Sequence, residues 1–555
     1  MLRPSLIATV LLASGQAALA QPAPAVGGQL QQIPPPVIQQ KPAPGIDFDR
    51  ARPPVDAAPS GPGVRVDRLQ ISGAVLFTEA ELVAATGFVP GAELTLPELR
   101  NFAAAIARFY NSRGYFLAQA YLPAQAIEGG TVTIAVVEGR YGAVSLRNES
   151  GLNDSVANRI LRGLDSGDPV AIRPLERRLL LLSDVPGVAV RSTLSPGTEV
   201  GTSDLVVDLT PDRRITGSLE ADNAGNRYTG AYRFGGSVNF NNPTGLGDQI
   251  SLRLLASTEG LAYGRAAWQV QAGDGIVGVS YTHLTYELGR EFEALDASGT
   301  ADIVSLFASY PLIRSRNHNL HAFGSVDAKW LTDEIGLVGQ VSDKTSRALT
   351  LGLRGDSHDE LGGGGWTTGW ASITAGELDI EDPAERAADA LTARTQGDFG
   401  KLQFSLTRLQ TVAGPFSLYG AVRGQVAFDN LDSSEKMELG GAYGVRAYPE
   451  GEAYGDQGYI ATVEARLRLD NWTSKLPGSF QLFGFVDAGE VDFAYDPWFT
   501  GDNHASRSGY GVGLTWAGPD DLFISAAYAR KLGDEPATSG PDADGRVWFQ
   551  IVKLF

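Results

Sequence analysis

The chain has 555 residues, with 64 acidic against 45 basic side chains for a formal charge of −19, and no cysteine. Zero cysteine excludes a disulfide framework, a thiolate zinc site and a cysteine nucleophile, and an acidic balance spread along the chain excludes a nucleic-acid surface, which needs clustered Lys and Arg. Glycine at 67 of 555, or 12%, exceeds the usual ~7% without the period of collagen, so many turns or many strands are expected. The first twenty residues place Arg3 before an apolar stretch from Leu6 to Ala13 and end Ala18-Leu19-Ala20 before Gln21. Residues 1–20 therefore read as a secretory signal peptide with a small-residue cleavage site. Its apolar run is shorter than the ~18–20 residues of a spanning helix, and no later run reaches that length, a test to which a β-barrel is invisible.

Residues 21–63 hold 11 prolines, including Pro34-Pro35-Pro36, and few large apolar residues, so they read as an extended linker. At Val64 apolar alternation begins, with a strand expected over 64–71, then Gly73 and a short helix over 79–86. The next helix is better marked: Thr95 and Glu98 form a capping box, Pro97 suits the first turn, and Leu99, Phe102, Ala103, Ile106 and Tyr110 share one face. Gly114 stops it. Strands are expected over 115–122 and 131–137, with Gly129-Gly130 as a tight turn between them. Residues 141–212 repeat this β-α-α-β-β order more faintly: a strand near 143–147, helices near 154–164 and 174–184, and strands over 188–194 and 204–209. The expectation is two small α+β modules, 64–140 and 141–212.

From residue 213 to 555 the sequence offers about sixteen segments of about ten residues, each alternating apolar and polar and each followed by a Gly, Asn, Asp or Ser cluster. They begin near 215, 231, 248, 262, 275, 301, 320, 345, 366, 398, 416, 458, 480, 508, 522 and 545. In 459–469, Tyr459, Ala461, Val463, Ala465, Leu467 and Leu469 fall on one face of a strand, and Thr462, Glu464, Arg466 and Arg468 on the other. A soluble sandwich would show the same alternation. Export, strand number and a strand length near the ~9–11 residues that cross a bilayer favour a transmembrane β-barrel. In lipid such a sheet must close, because an open edge would leave backbone groups unpaired. The chain also stops on an alternating aromatic strand ending in Phe555, which resembles the assembly signal of bacterial outer-membrane barrels. The fold class expected is mainly β: a C-terminal sixteen-strand transmembrane β-barrel preceded by two small α+β modules.

Enzyme chemistry is hard to find. There is no G-x-x-x-x-G-K-[ST] phosphate loop, no G-x-S-x-G elbow, and the glycine run at 362–365 lacks a following Lys. His318 and His321 are the close histidine pair, without an evident third ligand. No catalytic residue, metal or cofactor is assigned, and neither nucleotide nor nucleic acid is expected as a partner.

One region is specific. Residues 440–456 form a long Gly-rich connection containing Val445, Arg446, Ala447 and Tyr448, and Phe485-Val486-Asp487-Ala488-Gly489 follows on the next strand but one. The pair resembles the V-R-G-Y loop and F-x-D-x-G wall motif of the TpsB family, the outer-membrane transporters of two-partner secretion, in the BamA superfamily. Arg113-Gly114-Tyr115, Leu122-Pro123-Ala124-Gln125 and Val137-Glu138-Gly139-Arg140 also resemble family signatures. The resemblance implies two periplasmic POTRA modules, a loop folded back into the lumen with Arg446 paired to Asp487, and Phe485 and Gly489 as the rest of the wall motif. It also implies residence in the outer membrane of a Gram-negative bacterium, contact with its lipid, and export of an unfolded exoprotein bound by the POTRA modules. Where the family has Gly, this chain has Ala447; if that position needs φ > 0, the methyl group is strained there. The family commonly places an N-terminal helix inside the barrel, for which the Pro-rich linker leaves only residues 26–33. The rival readings are a BamA-like assembly factor, which carries more POTRA modules, an outer-membrane enzyme of the lipase kind, which requires a Ser/His pair on neighbouring strands, and a diffusion porin, which would not need two periplasmic modules.

Overall fold

The computed structural model describes residues 24–34, 46–48, 62–469 and 475–555; the expected signal peptide, 1–20, lies outside them. The described chain opens with a six-residue helix, α1 (Val26–Gln31), and a three-residue strand, β1 (Ile46–Phe48).

The first α+β unit runs β2 (Val64–Val66), β3 (Arg68–Ser72), α2 (Glu79–Thr86), β4 (Ala92–Leu94), α3 (Leu96–Ser112), β5 (Gln119–Tyr121), β6 (Thr131–Val137). The single strand expected over 64–71 is two. The amides of Asp67 and Arg68 both donate to the Gly130 carbonyl, so the chain turns there, and β2 pairs with the unexpected β4 while β3 pairs with β6. The tight Gly129-Gly130 hairpin is also corrected. Tyr121 is already opposite Ala135, and beyond Pro123, which has no N–H to donate, the Gln125 side chain continues the ladder. Its Nε2 donates to the Thr133 carbonyl at 2.7 Å and its Oε1 accepts from the Thr133 amide at 2.8 Å. Glu138 closes the unit from within. Its Oε1 accepts from the amides of Val75 and Leu76, both at 2.7 Å, and from the Tyr110 hydroxyl at 3.0 Å.

The second unit runs β7 (Arg140–Asn148), α4 (Asp154–Ile160), α5 (Ile172–Asp184), β8 (Val188–Pro196), β9 (Thr202–Pro211). Its sheet order is β1-β8-β9-β7, so the linker strand β1 joins the edge of β8. Helices α4 and α5 cover one face with Val156, Ile160, Leu175, Leu179 and Leu182 against Val190, Leu205 and Val207.

The barrel begins with β10 (Ile215–Asp222), β11 (Arg233–Asn241), β12 (Gln249–Ser257), β13 (Ala262–Ala272), β14 (Gly275–Glu287) and β15 (Ala297–Arg314). It continues with β16 (His318–Ile335), β17 (Gln340–Asp359), β18 (Gly365–Ile380), a surface helix α6 (Pro383–Leu391), β19 (Gly397–Ala413) and β20 (Phe416–Ala427). Two short strands of one loop follow, β21 (Met437–Glu438) and β22 (Tyr454–Gly455), and then β23 (Gln457–Arg468), β24 (Ser479–Asp492), β25 (His504–Ala517), β26 (Leu522–Lys531) and β27 (Gly545–Leu554). Sixteen of these strands close antiparallel, with β27 pairing β10 from Ser218↔Leu554 to Asp222↔Gln550. Gly217 and Phe555 exchange backbone hydrogen bonds at 3.0 and 3.1 Å, so the terminal Phe is the last rung of the closure.

Burial is inverted relative to a sandwich, which decides between the two readings of the alternation. Leu254, Val463 and Val547 stand 69, 61 and 60% exposed on the outside, while Arg233 and Asp487 are 1 and 0% exposed within. An apolar exterior around a polar interior is the pattern a bilayer demands of a closed sheet. The α5 helix braces one mouth: Arg177 and Arg178 bond Asp274 in the β13–β14 turn, Arg314 pairs with Asp184, and Arg316 with Glu176.

Candidate functional site in the barrel lumen

Residues 428–456 leave β20 at the mouth opposite the α+β units and fold back into the lumen before β23. All of the residues expected at the site meet here. The Arg446 Nε and Nη2 donate to the two oxygens of Asp487 at 2.9 and 2.8 Å, its backbone amide donates to Oδ2 at 3.2 Å, and Nη1 donates to Glu464 Oε1 at 2.9 Å. The guanidinium lies 3.5 Å above the centre of the Phe485 ring. Planar bidentate pairing and ring stacking are what a guanidinium supplies and an ammonium does not. Strand period explains the wall motif: Phe485, Asp487 and Gly489 are two apart and share the lumenal face. Phe485 stacks, Asp487 pairs, and Gly489 leaves space, since a Cβ there would stand 2.8 Å from the Leu439 side chain of the loop.

The loop segment itself is closely packed. Val445, Ala447 and Tyr448 are fully buried. Ala447 keeps an ordinary negative φ, so the strain expected of a methyl at a family Gly does not arise. Its methyl occupies room left by Gly509, where a Cβ would come within 2.4 Å of it. The Tyr448 hydroxyl donates to the Glu535 carbonyl at 3.1 Å, and Trp548 Nε1 donates to the Arg446 carbonyl at 2.7 Å.

Sequence reasoning missed the other anchors. Glu464, the second partner of Arg446, also accepts from Arg466 at 2.7 and 2.8 Å. Its place on the polar face of an alternating strand was the available signal. Glu452 accepts from Arg507 at 2.7 and 3.0 Å and from the amides of Thr538 and Ser539 at 2.8 and 2.9 Å. Asp432 pairs with Lys344 at 2.7 Å, and Glu435 with Lys401 at 2.8 Å and with Lys329. Nothing local marks these pairs, each of which joins a carboxylate of the loop to a cation on a barrel strand distant in sequence. Glu438 and Glu450 are buried and hydrogen-bonded to each other, and burial pushes the Glu450 carboxyl up to about 7.

Helix α1 lies against this loop in the lumen, within the stretch 26–33 expected for it. Its first amide, Val26, donates to Asp333 at 2.8 Å, Gln31 donates to the Ser433 carbonyl at 2.9 Å, and Gln32 donates to the Tyr454 hydroxyl at 2.6 Å. Val26 packs among Leu284, Tyr286 and Leu331. A chamber of about 280 Å³ remains between helix, loop and wall, lined by polar side chains such as Gln32, Gln403 and Arg423 and by apolar ones such as Trp370, Phe404 and Met437. Among the described residues no cluster of three His, Asp or Glu suits a metal.

Comparison with known proteins gives the family and the fold. A family model described as haemolysin secretion/activation protein ShlB/FhaC/HecB matches residues 201–515, and a POTRA domain model of the ShlB type matches 64–139. The heme/hemopexin transporter protein HuxB of Haemophilus influenzae strain 86-028NP is 28% identical over 84% of this chain and 82% of its own. The outer membrane transporter CdiB of Dickeya dadantii is 25% identical over 76 and 75%. Among solved structures, CdiB from Escherichia coli superposes with a TM-score of 0.71 at 22% identity, covering 91% of this chain and 93% of that one. A BamA from Haemophilus ducreyi lacking POTRA domains 1–3 reaches 0.53 at 14% identity, covering 89% of this chain and 100% of that one, a likeness of fold.

Proposed function

Because this chain belongs to the haemolysin secretion/activation protein family ShlB/FhaC/HecB, we propose that it is the outer-membrane transporter of a two-partner secretion pair, passing one unfolded exoprotein from periplasm to cell surface. The observation that carries the reading is the way the lumen is closed. Its contents, α1 and the 428–456 loop, are held to the wall by hydrogen bonds and ion pairs, of which the Arg446–Asp487 fork is the centre. Polar contacts of this kind can be exchanged one for another with the amides of a passing extended chain, whereas an apolar plug would have to be dewetted anew at each opening.

The division of labour follows from the architecture. The POTRA units receive the client in the periplasm by adding its strand to a sheet edge, where main-chain hydrogen bonds supply affinity with little demand on sequence. Helix α1 is the plug: six residues tied by a few hydrogen bonds, light enough to withdraw. Arg446 and Asp487 hold the gate loop in its resting position. No residue performs covalent chemistry, and no nucleotide drives transport; folding of the client outside the cell blocks its return. The partner is a large exoprotein of the class served by the family, a haemolysin or adhesin.

The test compares culture supernatants by quantitative proteomics from the wild type, a deletion strain, and the deletion complemented with wild-type or Arg446→Ala protein. Loss of one large exoprotein, restored by wild type and poorly by Arg446→Ala at equal barrel level, is the expected result. Unchanged supernatants with a general fall in outer-membrane proteins would replace secretion by the assembly of other barrels.

A further inference from the structure

Strands β16 to β20 turn a row of cations toward the lumen. Lys329, Lys344 and Lys401 reach carboxylates of the 428–456 loop, and Arg423 lines the chamber beside it. Arg354 lies an even number of residues from Lys344 on β17 and so shares its face. Strand register sets their order, read along β17 from the mouth opposite the α+β units. Lys344 comes first, and Lys329 is level with Ser346. Lys401 is level with Thr350 through Thr374, and Arg423 is level with Arg354 itself through Ser405 and Trp370. The levels descend toward the α+β units in steps of two or four residues, about 7 or 14 Å at ~3.4 Å per residue.

The upper cations are occupied by the loop. Asp432 pairs with Lys344, and Glu435 with Lys401 and Lys329. The lower two are not: among the described residues, Arg354 donates only to the Ser309 hydroxyl, at 3.3 Å, and the buried Arg423 Nε has no hydrogen-bond partner. Glu438 and Glu450, the loop carboxylates whose field reaches Arg423, are hydrogen-bonded to each other. The carboxylates native to this face of the wall have other partners. Asp327 accepts from Ser325, Asp333 from Tyr286 and the Val26 amide, and Asp356 from Asn319. A guanidinium drawn into the interior without a counter-charge is costly. Its place here points to a carboxylate that arrives from elsewhere.

Resting on the secretion reading above, we infer that these five cations form a track for carboxylates of the exported chain, entered at Arg354 and Arg423 and occupied at rest, in its upper part, by Asp432 and Glu435. The partner that fits is an extended acidic segment with a carboxylate every two to four residues. A segment coming from the α+β side meets the two open guanidinium groups first, each a directed donor to a carboxylate. Its next carboxylates replace those of the loop at Lys401, Lys329 and Lys344. Each exchange leaves the wall cation paired, so the loop is released without baring a charge in a confined space. The loop has the charge of the segment it stands in for: residues 428–456 hold seven acidic and two basic side chains.

The test places full-length protein in planar bilayers and uses a probe in place of the client. A short Gly/Ser peptide with Glu at every fourth position is added on the α+β side and compared with the same peptide carrying Gln. The Glu peptide should block open-channel current at a concentration at least tenfold lower than the Gln peptide. Arg354→Gln/Arg423→Gln should abolish that difference; the change strands no paired carboxylate, and heat-modifiable gel mobility checks that the barrel is folded. Equal block by the two peptides, block by neither, or a difference that survives in the double variant would overturn the track. Arg446→Ala, which frees the loop and with it the upper cations, should be blocked by the Glu peptide at a lower concentration than wild type. An unchanged or higher concentration would overturn Asp432 and Glu435 as resting occupants. In cells, Arg354→Glu/Arg423→Glu should lower exoprotein in the supernatant at least tenfold at equal barrel level, and undiminished secretion would overturn use of the track by the client. A deletion strain with unchanged supernatants would instead remove the secretion reading, and the bilayer result would still decide whether the wall takes carboxylates.

Discussion

Arg446 is bound at both ends of its guanidinium, and its partner Asp487 is fully buried with Thr462 as the other side-chain donor, at 2.9 Å. Removing one member of a buried ion pair strands the other and costs about 3–5 kcal/mol. Arg446→Ala is therefore expected to undock the loop and to reduce secretion more than tenfold at equal barrel level. Arg446→Lys keeps the charge but forfeits the fork and the stacking on Phe485, and should fall between Ala and wild type. Because both changes break one interaction, Arg446→Ala/Asp487→Ala should cost less than the sum of the single variants, as read from supernatant exoprotein. The buried Glu438–Glu450 pair makes a second, separable demand. Burial raises Glu450 from its ordinary 4.5 to about 7 against the opposing fields of Arg233 and Arg423, and burial together with the charge of Glu450 raises Glu438. A carboxyl raised in the docked loop favours docking at low pH and loses that contribution as pH rises through its docked value. Open-channel events in planar bilayers should thus increase between pH 4.5 and about 7, and Glu450→Gln should flatten that rise; a fall with rising pH would contradict the assignment.

At the scale of elements, α1 is seated by close approach rather than by helix propensity. A Cβ at Gly27 would lie 2.3 Å from the Ser434 amide nitrogen, a backbone atom of the 428–456 loop that cannot easily move. Gly27→Val is expected to expel the helix and raise bilayer conductance to the level of a protein lacking residues 26–31, with barrel folding unchanged. In the first POTRA unit, Glu138→Ala leaves the amides of Val75 and Leu76 and the Tyr110 hydroxyl without their acceptor. An unsatisfied buried donor, as the Tyr110 hydroxyl would become, costs about 1–3 kcal/mol. Limited proteolysis should then cut within residues 62–139 while the barrel stays intact. Much of this unit was legible from its residues: the Thr95–Glu98 capping box stands at the start of α3, and the Leu99, Ala103, Ile106 and Tyr110 face is buried. The Gln125 ladder was not legible, because a side chain replacing backbone in a sheet leaves no periodic trace.

At the scale of the molecule, the second α+β unit is tied to the barrel by charge. Arg177 and Arg178 converge on Asp274, and Asp184 and Glu176 reach Arg314 and Arg316 across the same junction. Asp274→Arg sets three cations together and should loosen the second α+β unit from the barrel. Spin labels on cysteines introduced in α5 and in the β13–β14 turn should report a broadened distance distribution, with secretion reduced and barrel content equal to wild type. Labelling is specific because the chain supplies no cysteine of its own.

What the sequence determined by itself is what short-range physics encodes. Period-two alternation set the barrel strands and their two faces, and caps and glycines set the helices. The spacing of Phe485, Asp487 and Gly489 put three lumenal side chains in a row. Tertiary structure decided which of those side chains meet. Glu464 beside Arg446, Glu452 beside Arg507, Lys344 beside Asp432 and Gln32 beside Tyr454 are joined across the lumen. Local dihedral preference and alternation are properties of neighbouring residues, whereas these contacts depend on the closure and register of sixteen strands, which place residues 18 to 422 positions apart within hydrogen-bonding distance.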